Sequence, residues 1–521
     1  MAHAVGKEIF MEYAPVLIET MIVIQESSLE QIDPQKSYLL SGWQRLCLTM
    51  GDDFVPYLAK ILPSLFKLLE NIFSEPKPEA DFVDSTKKED INTFETEEVE
   101  VALNMLSVLI DEMKENFSPY VEIATKLILP LCNFTKNESI RTAASKCLPS
   151  LVSCVKNKEP QKVSNIVRLF LNVLWNSASS EFEAEVIVDQ ITSMKDCLNE
   201  VGVKFLANEE INEISQNLIK LLMESDKRKL ENEKYKTEEE VDEEEIEMLN
   251  EDTSSEEDLQ VAIAELIGVL FKTHKEMTLP LVELLYTQVL SKVLQPALSD
   301  KMHKFGIFLI DDMIEFLGLE LIPDKWPHLS EALIKFSNDK SCPVRQAAVY
   351  GIGVLAEKSR EIFAQMAPQC INALYESLKV PQGDEKNKVY GHCKDNTISA
   401  LGKIIKSHHD KINLTEVIQI WLNSLPLKFD KPEAKVQHEL LTDILLNNGQ
   451  LVMGANGSNL PKIVKILAEV IDTKFCTPEI KNKIILVLNN FKANTVIIEH
   501  WNEVTAGLDE KLKKKIEDCM K

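Results

Sequence analysis

Residues 339–379 spell out a folding unit that cannot stand alone. Within 343–356, Val344, Ala347, Ala348, Gly351, Ile352 and Leu355 recur at the spacing of one face of an α-helix. After a break at 357–360, Phe363, Ala367, Cys370, Ile371, Leu374 and Leu378 mark a second helix. So short a connection sets the two helices antiparallel, and each pair leaves an apolar edge that only another pair covers. The unit predicts its own repetition.

The rest of the chain supplies that repetition. A phenylalanine followed three residues later by tyrosine and an apolar run occurs at Phe10/Tyr13, Phe54/Tyr57 and Phe117/Tyr120, with Phe205 and Phe363 opening looser copies. Phe10 to Phe54 is 44 residues and Phe117 to Phe205 is 88, one and two steps of the ~40–47-residue HEAT repeat. The longer gaps, Phe54 to Phe117 and Phe205 to Phe363, contain charged segments without periodicity. The predicted fold is all-α: a HEAT-repeat α-solenoid, a right-handed superhelix of antiparallel helix pairs running continuously over residues 1–521. The chain opens in the middle of a pair, which implies repeats upstream of Met1. Two insertions interrupt the array: an acidic, proline-containing loop at 74–98 and a charged segment at 226–258. Residues 386–394 read as a polar loop.

The second insertion is the strongest electrostatic feature. It begins with Lys227, Arg228, Lys229, Lys234 and Lys236, and residues 238–258 then hold 13 acids and no base, against a net charge of −26 for the whole chain. A segment so charged and poor in aromatics buries too little surface to fold alone. The plain expectation is a solvated linker. The sharper one is an arm, helical in its basic part and mobile in its acidic part, that meets a basic partner through Glu238, Glu239, Glu240, Asp242, Glu243, Glu244 and Glu245. The acidic balance disfavours nucleic acid, which needs a basic stripe.

Catalytic and metal motifs fail on inspection. His438-Glu439 starts a zinc-protease pattern, but Thr442 stands where the second histidine is required. Gly351 and Gly353 lie inside a predicted helix with no strand before it, so close helix packing explains them better than a dinucleotide. Residues 454–457 lack the Lys-Ser/Thr ending of a phosphate loop and read as a turn. His408-His409 closes a lysine-rich helix end, where helix-terminal charge is the simpler role. Asp311, Asp312 and Glu315 share a helix without a nucleophile or base. The ten cysteines occur singly with no Cys-x-x-Cys pair, as in reduced, buried thiols of a cytosolic or nuclear protein. No apolar run reaches membrane-spanning length. Asp339 with Arg345, echoed by Asn137 with Arg141, is expected to form a hydrogen-bonded ladder between successive repeats.

Several strings go further. Asp33-Pro-Gln-x-Ser-Tyr38 with Trp43, Phe305-Gly-x-x-x-x-Asp311-Asp312-x-Ile314-Glu315, Val-Arg-Gln-Ala-Ala-x-Tyr-Gly-x-Gly-Val within 339–354, Asn396-x-Ile-Ser-Ala-x-Gly-Lys-Ile404 and Asn459-Leu-Pro-Lys-Ile463 stand in order along the chain. Together they resemble the C-terminal half of the importin-five, or karyopherin beta three, branch of the importin-beta superfamily. The resemblance implies a nuclear import receptor, about twice this length, that binds lysine-rich cargo signals and Phe-Gly nucleoporins and releases cargo to Ran-GTP. It implies a monomer that shuttles between cytoplasm and nucleus, needs no cofactor and is not an enzyme. In such receptors the main Ran-binding arch and the lysine-reading helices lie outside this half, and the insertion joins a secondary Ran contact. The competing expectation is a HEAT scaffold of the phosphatase A-subunit type, which would show more uniform repeats and no large acidic insertion.

Overall fold

The computed structural model describes residues 6–26, 35–72, 85–237, 242–295, 298–380 and 387–519. Every element among them is helical. The chain divides into two units, Met1–His274 and Lys275–Lys521.

Unit 1 holds α1 (Lys7–Met11), α2 (Ala14–Glu26), α3 (Gln35–Met50), α4 (Leu58–Asn71), α5 (Ser85–Met113), α6 (Val121–Leu131), α7 (Glu138–Lys156), α8 (Pro160–Ser180), α9 (Ala184–Val201), α10 (Asn208–Tyr235) and α11 (Glu243–His274). Helices α3, α5, α7, α9 and α11 pack each on the next as one layer, and α4 and α6 belong to the other. The Phe-x-x-Tyr signature marks entry into that second layer. Phe54 and Phe117 are fully buried in 3-10 turns, Gly51–Tyr57 and Lys114–Tyr120. Their rings lie 6.0 and 5.7 Å from Tyr57 and Tyr120. In the looser copy Phe205 faces His274 instead.

Unit 2 holds α12 (Leu279–Leu285), α13 (Ser291–Val293), α14 (Asp300–Asp312), α15 (Trp326–Phe336), α16 (Cys342–Lys358), α17 (Arg360–Lys379), α18 (Lys388–His408), α19 (Leu414–Ser424), α20 (Lys431–Asn448), α21 (Gln450–Met453), α22 (Leu460–Val470), α23 (Pro478–Ala493), α24 (Thr495–Glu499), α25 (Trp501–Val504) and α26 (Glu510–Cys519). One layer runs α14, α16, α18, α20, α23. Gly351 and Gly353 permit its close approach. A Cβ on Gly351 would fall 2.0 Å from Asp311 Oδ1, and one on Gly353 would fall 3.2 Å from the Ala400 Cα.

A buried polar network ties α18, α19 and α20 together. Trp421 Nε1 donates to Gln437 Oε1 at 2.8 Å. Gln437 Nε2 donates to Ser399 Oγ at 2.8 Å, and Ser399 Oγ donates to Glu433 Oε2. Glu433 also holds Lys403 Nζ at 3.1 Å, and that ammonium lies 4.8 Å from the Tyr350 ring centre. Each member is satisfied by another, as burial demands.

Helices extend further than apolar periodicity foretold. Of the expected loop at 74–98, residues 74–84 lie outside the described residues, but the remainder is the first part of α5. Residues 226–235 complete α10, and 243–258 form the first half of α11 rather than a mobile arm. The loop expected at 386–394 is helical from Lys388, with Asn387 Oδ1 accepting the Val389 N–H at 3.0 Å. At 226–235 and 243–255 a helix nucleated on its packed half propagates at little cost because the sequence offers Glu, Lys and Leu, whereas the start of α18 is held by its own buried Gly391 and Cys393.

Candidate functional site

The acids singled out from sequence divide into two groups. Glu238, Glu239 and Glu240 lie outside the described residues. Asp242, Glu243, Glu244 and Glu245 are exposed at the start of α11. There Asp242 Oδ1 accepts the Glu245 N–H at 2.9 Å and Glu245 Oε2 accepts the Asp242 N–H at 3.3 Å. This is a reciprocal helix cap, and the first-turn charges Glu243 and Glu244 suit the positive helix end.

The two halves of the charged segment also neutralise one another. Helices α10 and α11 pack together, and Arg228 grips Glu256 through two hydrogen bonds, the longer 2.9 Å. Lys229 approaches Glu257 at 3.4 Å. Gln260 Nε2 closes the contact on Asp226 Oδ1 at 2.8 Å. The basic run therefore anchors the acidic run.

The anchored pair forms one side of a groove of about 700 Å³, bounded otherwise by α5, α7 and α9. Seven acids line it, and only Lys146 and Arg228 oppose them. Lys146 is engaged by Asp189 at 3.0 Å and Arg228 by Glu256. Among the described residues Glu100, Glu138, Glu183, Glu185 and Asp252 have no lysine or arginine partner. Glu138 and Glu185 open α7 and α9, where they also favour the helix dipole. Glu100 and Asp252 lie away from helix starts and answer no such need. Sequence reading missed this groove because its acids span residues 100–252. Its one local signal was the acid at the start of successive helices.

The expected ladder is partly present. Arg141 Nε and Nη2 donate to Glu181 at 2.6 and 3.1 Å, across 40 residues, and Nη1 donates to the Phe134 carbonyl at 3.0 Å. Asn137 caps α7. Arg168 repeats the device on Glu210 at 2.8 Å. Arg345 does not. It donates to the Asp339 and Lys340 carbonyls of its own turn at 2.7 and 3.0 Å, and Asp339 Oδ1 accepts the Ser341 N–H at 2.8 Å. Arg345 is almost fully buried, and its Nε and Nη2 have no hydrogen-bond partner.

The other sequence candidates are structural. Asp311 is buried with both carboxyl oxygens unpartnered, and burial, then Asp312 and Glu315, raises its pKa well above the usual value. His408 is buried against Phe363, 4.6 Å between ring centres, with Nε2 2.8 Å from the Ala356 carbonyl. It serves inter-helix packing, a correction to the helix-terminal role read from sequence. All ten cysteines are free and eight are buried. No metal-holding group of His, Cys, Asp and Glu occurs among the described residues, nor is any helix long and apolar enough to cross a membrane. His438 accepts the Leu427 N–H at Nε2 and faces the Phe475 carbonyl with Nδ1. Burial lowers its pKa to about 4.

A depressed histidine pKa stabilises the fold above the unfolded value and loses that contribution as pH falls through the folded one. Unit 2 is therefore expected to lose about 3 kcal/mol between pH ~6.5 and ~4 on this account. Unfolding of His438→Gln should show a correspondingly smaller loss over that window. The comparison separates the imidazole from Asp311, whose raised pKa acts with the opposite sign. Equal pH slopes in the two chains would refute the assignment.

Known proteins share this architecture. A family model described as Importin repeat 6 matches residues 186–296, the stretch that contains α10 and α11. Importin subunit beta-3 of Saccharomyces cerevisiae is 24% identical over 510 residues, 92% of this chain and 44% of that protein. The probable importin-5 homolog of Dictyostelium discoideum is 25% identical over 517 residues, 94% of this chain and 46% of that protein.

Over most of its length the chain is similar to importins.

It spans about half the length of the curated relatives it matches. Solved structures of the karyopherin Kap121p share the importin fold. The structure bound to RanGTP superposes with a TM-score of 0.76 at 19% identity, covering 99% of this chain and 47% of Kap121p. The structure bound to Ste12p gives 0.77 at 20% identity, with the same coverage.

Proposed function

We propose that this chain is the segment of a nuclear import receptor that engages lysine-rich cargo in the acidic groove of unit 1 and responds to Ran-GTP. Such a receptor shuttles between cytoplasm and nucleus and meets Phe-Gly nucleoporins on its way; its role is binding, with no chemical step. The observation that carries this reading is the set of five carboxylates without basic partners around the 700 Å³ cavity. Kap121p, a structural neighbour, is known in complex with RanGTP and with Pho4p, which supports both kinds of partner. Many partly solvated charge contacts give modest, salt-sensitive affinity, suited to a load that must be released.

The test has two arms. An octalysine peptide should bind the chain, and Glu183→Gln/Glu185→Gln/Asp252→Asn should weaken it roughly tenfold at low salt, with less effect at physiological salt. Neutralising Glu238, Glu239, Glu240, Asp242, Glu243, Glu244 and Glu245 tests the distal acids separately. A pull-down with Ran loaded with GTP or GDP then separates transport from a scaffold, which is indifferent to nucleotide. Undiminished peptide binding by the triple variant sinks the groove assignment, and nucleotide-independent behaviour sinks the Ran response.

A further inference from the structure

Unit 2 carries the opposite pattern. A groove of about 620 Å³ lies between α18, the segment 425–429 and α22, and four lysines line it: Lys394, Lys428, Lys462 and Lys465. In a chain of net charge −26, such a concentration of like charge requires an explanation.

The groove is built on a fixed floor. Asp395 Oδ2 accepts the N–H groups of Lys428, Phe429 and Asp430 at 3.1, 2.7 and 2.9 Å. This commits the buried carboxylate to shaping the segment. The Phe429 ring lies directly on Gly391, where a Cβ would come within 2.3 Å of it. Glu469 answers Lys428 at 3.1 Å. Among the described residues no carboxylate answers Lys394, Lys462 or Lys465. Lys462 is hydrogen-bonded to the neutral Asn423 side chain instead. Burial, then the neighbouring Lys465, lowers the Lys462 pKa, as expected of positive charge held without compensation.

We propose that this groove binds an acidic peptide segment of a partner protein, with Lys394, Lys462 and Lys465 receiving carboxylates and Tyr390 and Phe429 flanking apolar side chains. Its volume is that of a ligand site, and it mixes charge with aromatic surface as a peptide does. A nucleic acid carries a phosphate on every nucleotide, ~3.4 Å apart along each strand of a duplex, and would run on from the groove into the field of a strongly acidic protein. A short acidic segment ends inside it. The proposal is independent of the groove in unit 1.

Fluorescence anisotropy of the whole chain with a labelled peptide of eight glutamates and one phenylalanine tests it, with octalysine and oligouridine of equal charge as comparisons. The acidic peptide should bind at low salt, oligouridine should bind at least tenfold more weakly, and Lys462→Gln/Lys465→Gln should lower peptide affinity about tenfold. Lys511→Gln/Lys514→Gln on α26 should leave it unchanged. Circular dichroism checks folding, and Lys394→Gln, at an exposed position, is read in place of the double variant if that fails to fold. No peptide binding at low salt, binding unaffected by the groove substitutions, or preference for oligouridine overturns the proposal.

Discussion

Trp421→Ala is expected to destabilise unit 2 by about 4 kcal/mol. The side chain is fully buried, and aromatic-to-alanine truncation in a core costs roughly 3–5 kcal/mol. The substitution also strips Gln437 Oε1 of its donor, leaving an acceptor in a network whose other members, Ser399, Glu433 and Lys403, depend on its position. Trp421→Phe keeps most of the packing and loses only the N–H, so a smaller loss of about 1–2 kcal/mol is expected. Gly402→Ala attacks the same point from the other side. Its Cβ would fall 1.8 Å from Gln437 Oε1 and 2.7 Å from Trp421 Nε1, and overpacking of this kind costs about 1–3 kcal/mol. Because repeat arrays unfold in parts, hydrogen exchange over residues 395–442 is the proper measurement. A loss of protection below about 1 kcal/mol in Trp421→Ala would show that the network does not hold these helices.

Arg141→Met has the second largest expected effect, about 3–5 kcal/mol, because it leaves Glu181 charged and mostly buried without its partner. Replacing both, as Arg141→Met/Glu181→Met, should recover much of that loss, since paired buried ions are often matched by apolar residues of similar volume. The functional consequence is local. Glu181 Oε1 also accepts the N–H groups of Phe182 and Glu183 at 3.0 and 3.2 Å, so the pair shapes the turn that presents Glu183 and Glu185 to the acidic groove. Octalysine binding should therefore fall in the double variant although stability is regained. A non-additive cycle in hydrogen exchange at α9, with affinity still impaired, is the expected signature. Additive single losses would mean that Arg141 and Glu181 act independently.

The helical pairs, their buried faces and the two-layer stacking were legible in the sequence, because each rests on apolar spacing within two or three turns. The close-packed glycines at 351 and 353 and the buried, unpaired cysteines belong to the same class. Helix ends were misjudged at α5, α10, α11 and α18: α10 and α11 propagate without a long apolar face, and α18 starts on the small buried Gly391 and on Cys393. The site was less legible still. Excess acid was visible as a run at 238–258, yet part of that run is taken up by a helix cap and by Arg228 and Lys229. The carboxylates left without basic partners come mainly from other repeats.

What the sequence by itself determined is a stack of amphipathic helix pairs with a strong negative charge, and, through its ordered strings, a resemblance to the importin-beta superfamily. Tertiary structure alone decided which charges meet. Arg141 reaches Glu181 forty residues away whereas Arg345, in a similar sequence setting, turns back on its own backbone. Among the described residues, five acids and three lysines remain without a partner of opposite charge in two separate grooves. The physical reason is range. A helix is fixed by neighbours a few residues apart, but an ion pair or its absence is fixed by the angle at which successive repeats stack, to which many side chains along the chain contribute.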